Sequence, residues 1–116
     1  MAFMAMSNQF TQTGGLRYGD SFWYATNASI PFAEISVTQL TIVVTVRPLL
    51  RRWDRTFTFQ RSAIQQLKWK RGFFSVGLHI VHTVSEYPPF LLFWSSNRSQ
   101  LAKALQECGY DLTVNK

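Results

Sequence analysis

Two alternating segments joined by one turn, residues 40–60, constrain the fold of this chain most strongly. Apolar side chains recur at every second position in both segments: Leu40, Ile42, Val44, Val46, Phe57 and Phe59. A period of two is typical of a strand with one buried face. Pro48 follows the first segment, and because proline has no N–H to donate, strand pairing should stop there. These residues therefore predict an antiparallel hairpin.

Short apolar segments of the same kind follow one another along the chain. We expect further strands at 22–27, 29–37, 64–70, 76–83 and 89–94. Tight turns near Thr38-Gln39 and Arg71-Gly72 should join some of them. Connections this short, without the spacing of a helical crossover, favour an antiparallel sheet over a parallel one.

The spacing of the apolar residues changes near the C-terminus from every second position to the spacing of a helix. Asn97 with Gln100 three positions later resembles a capping box. The buried stripe is expected at positions spaced i, i+3, i+4 and i+7: Leu101, Ala104, Leu105 and Cys108. Gly109 stands where a helix end favours a left-handed residue, and Tyr110 could pack back on Leu105.

The length of 116 residues is typical of one domain. Residues 1–20 are rich in Gln, Thr, Gly and Met, and we expect them to form a flexible lead-in. The domain itself is expected at 21–114. Its predicted fold class is mainly β: a partly open barrel of six to seven antiparallel strands, with a C-terminal α-helix that covers one open end.

Four segments carry a family resemblance: ISVTQLTIVV, RTFTFQRSAI, GLHIVHTVSEYPPFLLFW and SQLAKALQECGY. Their order resembles the pleckstrin-homology-like (PH-like, GRAM-like) superfold, and in particular small bacterial PH-like domains. The resemblance implies a non-enzymatic module that binds phosphoinositides, peptides or protein surfaces. The inositol-phosphate motif of lipid-binding PH domains uses Lys and Arg on the first two strands, whereas residues 22–37 of this chain contain neither. The resemblance therefore does not imply that type of phosphoinositide site here.

Residues that could carry catalysis are scattered. His79 and His82 are three apart in a predicted strand, so they should face opposite sides and not share a metal ion. His82 follows the apolar side and is expected to be a hydrogen-bonded core residue. Cys108 lies in the helix stripe, and one cysteine cannot form an internal disulfide, which favours a cytoplasmic location. We expect no enzyme activity, no cofactor and no metal site.

The turn of the central hairpin is the strongest functional lead, in a chain of net charge +6. It is both basic and apolar: Arg47, Leu49, Leu50, Arg51, Arg52, Trp53 and Arg55. Such residues could enter the interfacial layer of an anionic membrane, where each basic side chain contributes about 1 kcal/mol. The alternative is that Leu50 and Trp53 fold back over the core while the arginines are solvated.

A second basic stretch, with Lys68, Lys70 and Arg71, precedes two phenylalanines. In a simple meander its turn would lie at the same end of the sheet as the first, although an orthogonal crossing between the two sheets could undo this. We therefore include these three residues among the candidate ligand-binding residues.

The predicted function is a non-catalytic binding or adaptor module for a protein partner or for anionic lipid headgroups, peripheral at the inner membrane in the second case. An extended peptide could pair with a strand edge or lie in a groove beside the helix. Single-stranded nucleic acid is a less favoured alternative, because the aromatic residues mostly follow the core alternation. Homo-oligomerisation as a purely structural domain is a further alternative.

Overall fold

The computed structural model describes residues 9–21, 23–47, 55–71 and 76–113. The elements are β1 (Phe10–Gly19), β2 (Ala25–Val37), β3 (Thr41–Val46), β4 (Arg55–Gln60), a 3₁₀ turn (Arg61–Ala63), β5 (Ile64–Arg71), β6 (Val76–His82), β7 (Phe90–Ser95), α1 (Arg98–Glu107) and β8 (Leu112–Thr113). The strands form one sheet in the order β4-β3-β2-β1-β7-β6-β5-β8. All described pairs are antiparallel except the two-residue pair of β5 and β8. The sheet curls into a half-barrel beside the C-terminal helix, which confirms the predicted fold class.

The hairpin of β3 and β4 is confirmed. Thr41 pairs with Gln60 and Val46 with Arg55, so the inward residues of both strands lie side by side. The alternating residues predicted to be buried are buried: Ile42, Val44, Val46, Phe57 and Phe59. Leu40 is the exception at 73% exposed, because the turn closed by Thr38 N and Thr41 O (2.9 Å) places it before the strand begins.

The expectation of a flexible lead-in over residues 1–20 is wrong for the part that the structure describes. Phe10–Gly19 forms β1, which pairs with β2 on one side and β7 on the other, so it lies in the middle of the sheet. A β-carbon on Gly14 would lie 2.2 Å from the carbonyl oxygen of Trp94. This glycine therefore allows a close approach of two strands rather than flexibility. Residues 1–8 lie outside the described part.

The two strands expected at 22–27 and 29–37 are one strand, β2. Its ends pair with the two ends of β1, Ala25 with Gly19 and Val37 with Phe10. Trp23 and Tyr24 belong to the connection between β1 and β2 instead of to a strand. The first residues of β2, 25–28, are held in strand form by pairing with β1, which the local sequence pattern does not reveal.

The helix prediction is confirmed. Asn97 Oδ1 accepts a hydrogen bond from Gln100 N at 3.2 Å, which is one half of the predicted capping box. Asn97 N donates to Ser95 Oγ at 2.9 Å in place of the Gln100 side chain. The predicted stripe is buried. Gly109 has φ +86°, and Tyr110 N donates to Leu105 O at 2.9 Å, which closes the helix as a Schellman motif.

Two sets of hydrogen bonds hold the helix across one end of the half-barrel. Near its start, Gln12 Nε2 of β1 donates to Asn97 O at 2.9 Å, and the Ser95 hydroxyl donates to Gln12 Oε1. Beyond its end, Tyr110 Oη donates to Thr38 O at 2.8 Å, in the β2–β3 turn. The helix thus spans from β1 and β7 to the β2–β3 turn, as the prediction of a covering helix requires.

Candidate binding surfaces

Only part of the predicted basic turn lies in the described residues. Leu49, Leu50, Arg51, Arg52 and Trp53 lie outside them. Arg47 and Arg55 are described, and both are exposed at the end of the β3–β4 hairpin.

The two described arginines of this hairpin have different surroundings. Arg47 Nη1 lies 3.7 Å from Glu34 Oε1, an ion pair of two partly exposed side chains that contributes about 0–1 kcal/mol to stability. The Arg55 guanidinium lies over two aromatic rings, 5.5 Å from the centroid of Tyr18 and 5.2 Å from that of Phe57. These cation–π contacts fix Arg55 against the barrel while one side remains in solvent.

Two large aromatic side chains lie exposed in the β1–β2 connection, Trp23 at 71% and Tyr24 at 80%. The connection is closed by Asp20 N, which donates to Tyr24 O at 3.1 Å. Sequence reasoning missed this exposure because FWYATN was assigned to a strand. The available signal was the pair Gly19-Asp20, a turn sequence directly before the aromatic residues.

Strand directions place these aromatics and arginines toward one end of the sheet. β1 and β3 are both antiparallel to β2, so they run in the same direction. The connections that follow them, 20–24 and 47–54, therefore leave the sheet in the same direction. Val46 pairs with Ala33 in the middle of β2, whereas the first connection ends at Ala25, the first residue of β2. Arg55 links the two levels, because its guanidinium lies over Tyr18 near the end of β1. We call the surface formed by Trp23, Tyr24, Arg47 and Arg55 the basic-aromatic end.

The second basic stretch does not belong to this surface. β5 runs opposite to β6, which runs in the direction of β1, so the connection after Arg71 leaves at the other end. The simple-meander expectation fails because β4 and β5 are not neighbours in the sheet: β4 pairs with β3, whereas β5 pairs with β6. Lys68 and Lys70 are half-buried on β5 and Arg71 is exposed at its end.

His82 and Cys108, two of the residues that could have carried catalysis, have structural surroundings in the described part of the chain. His82 Nε2 donates to Pro88 O at 2.9 Å, since its Nδ1 accepts from Val84 N at 3.0 Å, which confirms a hydrogen-bonded histidine. Burial raises the pKa of the Cys108 thiol, with a further increase from Glu107, so the reactive thiolate is disfavoured. Within the described ranges, no three His, Cys, Asp or Glu residues are grouped as a metal site.

Arg61 is a structural residue that sequence reasoning did not single out. Its Nη1 donates to Gln39 O at 2.9 Å and to Cys108 O at 3.0 Å, and its Nη2 donates to Gly109 O. The guanidinium also lies 4.5 Å from the ring centroid of Tyr110. It thereby satisfies carbonyls at the helix C-terminus, where a cation is favoured by the helix dipole. No local pattern around Arg61 predicts a contact 47 residues away.

Among the described helices, none has the length and apolar character needed to cross a bilayer. Comparisons of the chain with known protein families, with curated proteins and with solved structures find no match.

Proposed function

We propose that this protein is a non-catalytic binding module that attaches to anionic membrane surfaces through its basic-aromatic end. The observation that carries the proposal is the exposure of Trp23 and Tyr24 in the connection that follows β1, next to Tyr18, over which the exposed Arg55 guanidinium lies. Exposed aromatic residues of this size are an exception among the described residues, whose other large apolar side chains are mostly buried or half-buried.

The chemistry of these residues suits the boundary between lipid tails and headgroups. Trp and Tyr have an apolar body and a polar atom, so they are favoured at the headgroup level. Arginine forms charge-assisted, often bidentate hydrogen bonds with phosphate oxygens. The 47–54 connection starts at this end, and we propose that its residues join the surface: Leu49, Leu50, Arg51, Arg52 and Trp53.

The element order supports a PH-like assignment as part of the proposal. In the described ranges seven antiparallel strands precede the helix, and the helix covers one end of the half-barrel. The basic-aromatic end lies at the other end of the strands, so a membrane would meet the loops and not the helix.

Reversing the charge of Arg55 should weaken vesicle binding. Arg55→Glu changes the charge by two units, which corresponds to about 2 kcal/mol, or roughly 30-fold in affinity. The double change Trp23→Ser/Tyr24→Ser should weaken binding at all salt concentrations, because it removes apolar contact instead of charge. The measurement is co-sedimentation with phosphatidylserine vesicles and with neutral vesicles at low and high salt.

Lys103→Glu is the matched control for charge. Lys103 is exposed on α1, at the far end from the proposed surface, and its replacement makes the same change in net charge. Equal losses in Arg55→Glu and Lys103→Glu would show that net charge alone governs binding. Absence of vesicle binding by the unmodified chain would refute the membrane proposal.

The edge of β4 favours a second candidate function, binding of an extended segment of a protein partner. β4 has one hydrogen-bonded neighbour among the described strands, and its pairing with β3 directs the backbone groups of Thr56, Thr58 and Gln60 outward. Tyr87 Oη accepts a hydrogen bond from Thr58 N at 3.1 Å and so blocks the middle of this edge. A partner strand would therefore have to displace Tyr87 or bind beside it.

Selection from a displayed peptide library tests this candidate. Peptides that pair with β4 should bind independently of salt and should lose at least tenfold in affinity for Thr56→Pro, which removes an outward N–H. Binding to Arg55→Glu should change little. If the selected peptides bind Thr56→Pro and the unmodified chain equally, strand addition at β4 is wrong.

A further inference from the structure

The face of β5, β6 and β7 that lies opposite the core carries a group of polar side chains. The core-facing residues of these strands are Leu67, Leu78, Ile80, Leu91 and Phe93. Because side chains alternate across a strand, the intervening positions point to the other side of the sheet. They include six positions that lie close together: Lys68 and Lys70 on β5, Gly77 and His79 on β6, and Leu92 and Trp94 on β7.

The register brings these positions together. Lys68 lies opposite His79, and His79 lies opposite Leu92. Lys70 lies opposite Gly77, and Trp94 is the next residue along β7 on the same face as Leu92. Cross-strand neighbours on one face have β-carbons about 5 Å apart, and diagonal neighbours about 7–8 Å, within reach of long side chains.

Leu92 forms the floor of this group. A β-carbon on Gly77 would lie 2.9 Å from Leu92 Cγ, so Leu92 occupies the space that a larger residue at 77 would fill. Leu92 is fully buried, whereas the residues around it, Lys68, Lys70, His79 and Trp94, are half-buried and reach the surface.

Two polar atoms of this group are buried without a hydrogen-bond partner in the described part of the chain, His79 Nδ1 and Trp94 Nε1. The His79 ring packs against Phe90 of the same face, with the ring centroids 5.2 Å apart. A buried donor or acceptor left unpaired costs about 1–3 kcal/mol, so such groups need an explanation. Burial, and then the charges of Lys68, Lys70 and His82, lower the pKa of His79 to about 4. At neutral pH the His79 ring is therefore uncharged, and Lys68 and Lys70 supply the positive charge of this group. None of the six positions is acidic.

We propose that Lys68, Lys70, His79 and Trp94 form a binding site for a phosphate group. Two ammonium groups supply the charge for the anion, and the indole N–H of Trp94 and a ring nitrogen of His79 supply directional contacts. Single-stranded nucleic acid is disfavoured as the ligand, because Phe90, the next residue on this face of β7, is only 7% exposed and offers no platform for base stacking. The site is distinct from the basic-aromatic end.

The test is an NMR titration of the ¹⁵N-labelled full-length chain with inorganic phosphate, at constant ionic strength set with chloride. Trp94 Nε1–H, assigned by its loss in Trp94→Phe, should show a saturable shift, and the His79 ring should shift with it. Lys68→Gln/Lys70→Gln should weaken binding at least tenfold. Arg98→Gln/Lys103→Gln, which removes two exposed charges of α1, should leave binding unchanged. Trp69 is the internal control, since its ring lies on the core side.

Vesicles that contain phosphatidic acid distinguish the source of the phosphate group. Shifts with free phosphate identify a soluble phosphate compound as the ligand, and shifts with vesicles alone identify a lipid headgroup. If neither probe produces a saturable Trp94 shift, or if the double lysine variant binds as well as the unmodified chain, the proposal is wrong. Arg55→Glu should retain phosphate binding, so the outcome is separable from the test of membrane attachment.

Discussion

Replacement of Gly14 by valine is expected to lower the free energy of unfolding by at least about 3 kcal/mol, the upper part of the range for overpacked sites. The new β-carbon would lie 2.2 Å from Trp94 O and 2.6 Å from Phe93 Cζ. The oxygen belongs to the backbone of β7, and Gly14 pairs with Ser95 of that strand. Relief of the contact would therefore separate two strands in the middle of the sheet, which is more costly than the rotation of a side chain.

Thr13→Val is the matched control for this prediction. Thr13 precedes Gly14 in the same strand and is exposed, and valine is favoured in strands. Its effect should stay within about 0.5 kcal/mol, as is usual for surface substitutions. Urea denaturation followed by circular dichroism measures both variants. Equal stability of the two would mean that β1 is not held between β2 and β7.

The position of β1 in the middle of the sheet could not be predicted from its own residues. Leu16 and Tyr18 are the apolar residues of its second half, and Gly14 and Gly15 resemble a turn. The local sequence shows that glycine is unfavourable in a strand. It does not show that Gly14 is needed for the close approach of β7, which favours glycine at this position. That approach depends on a strand about 80 residues away. The helix was predictable for the opposite reason, since its cap, its buried stripe and Gly109 are all local signals.

The candidate site was predictable only in part. The charge and composition of the 47–55 turn are visible in the sequence, but its separation from Lys68, Lys70 and Arg71 is not. That separation depends on whether β4 and β5 are neighbours in the sheet, and both outcomes are compatible with the short link Arg61–Ala63. The same is true of Trp23 and Tyr24. The sequence shows two adjacent aromatic residues, but their exposure depends on β2 beginning after them, at Ala25.

Phe59→Ala is expected to lower the free energy of unfolding by about 3–5 kcal/mol, the range for removal of a buried phenylalanine ring. Phe59 is fully buried, with its ring centroid 4.8 Å from that of His82 and 5.4 Å from that of Tyr87. Neither neighbour is free to fill the cavity. His82 is held by Val84 N and Pro88 O, and the Tyr87 hydroxyl is held by Thr58 N. The cost should therefore lie near the upper limit, because it rises when the surroundings cannot relax.

Thr58→Ala provides the comparison for Phe59→Ala, because Thr58 is exposed and uses its backbone N–H, not its side chain, to bind Tyr87. Its effect should be below about 1 kcal/mol. Phe59→Leu should lie between the two, since it leaves a smaller cavity. Denaturant unfolding of the three variants measures the loss in the free energy of unfolding for each and so gives their order. A cost for Phe59→Ala below about 2 kcal/mol would mean that the 83–89 connection moves inward to fill the space. The hydrogen bonds of His82 and Tyr87 would then not fix that connection, and the edge of β4 would be open to a partner at little cost.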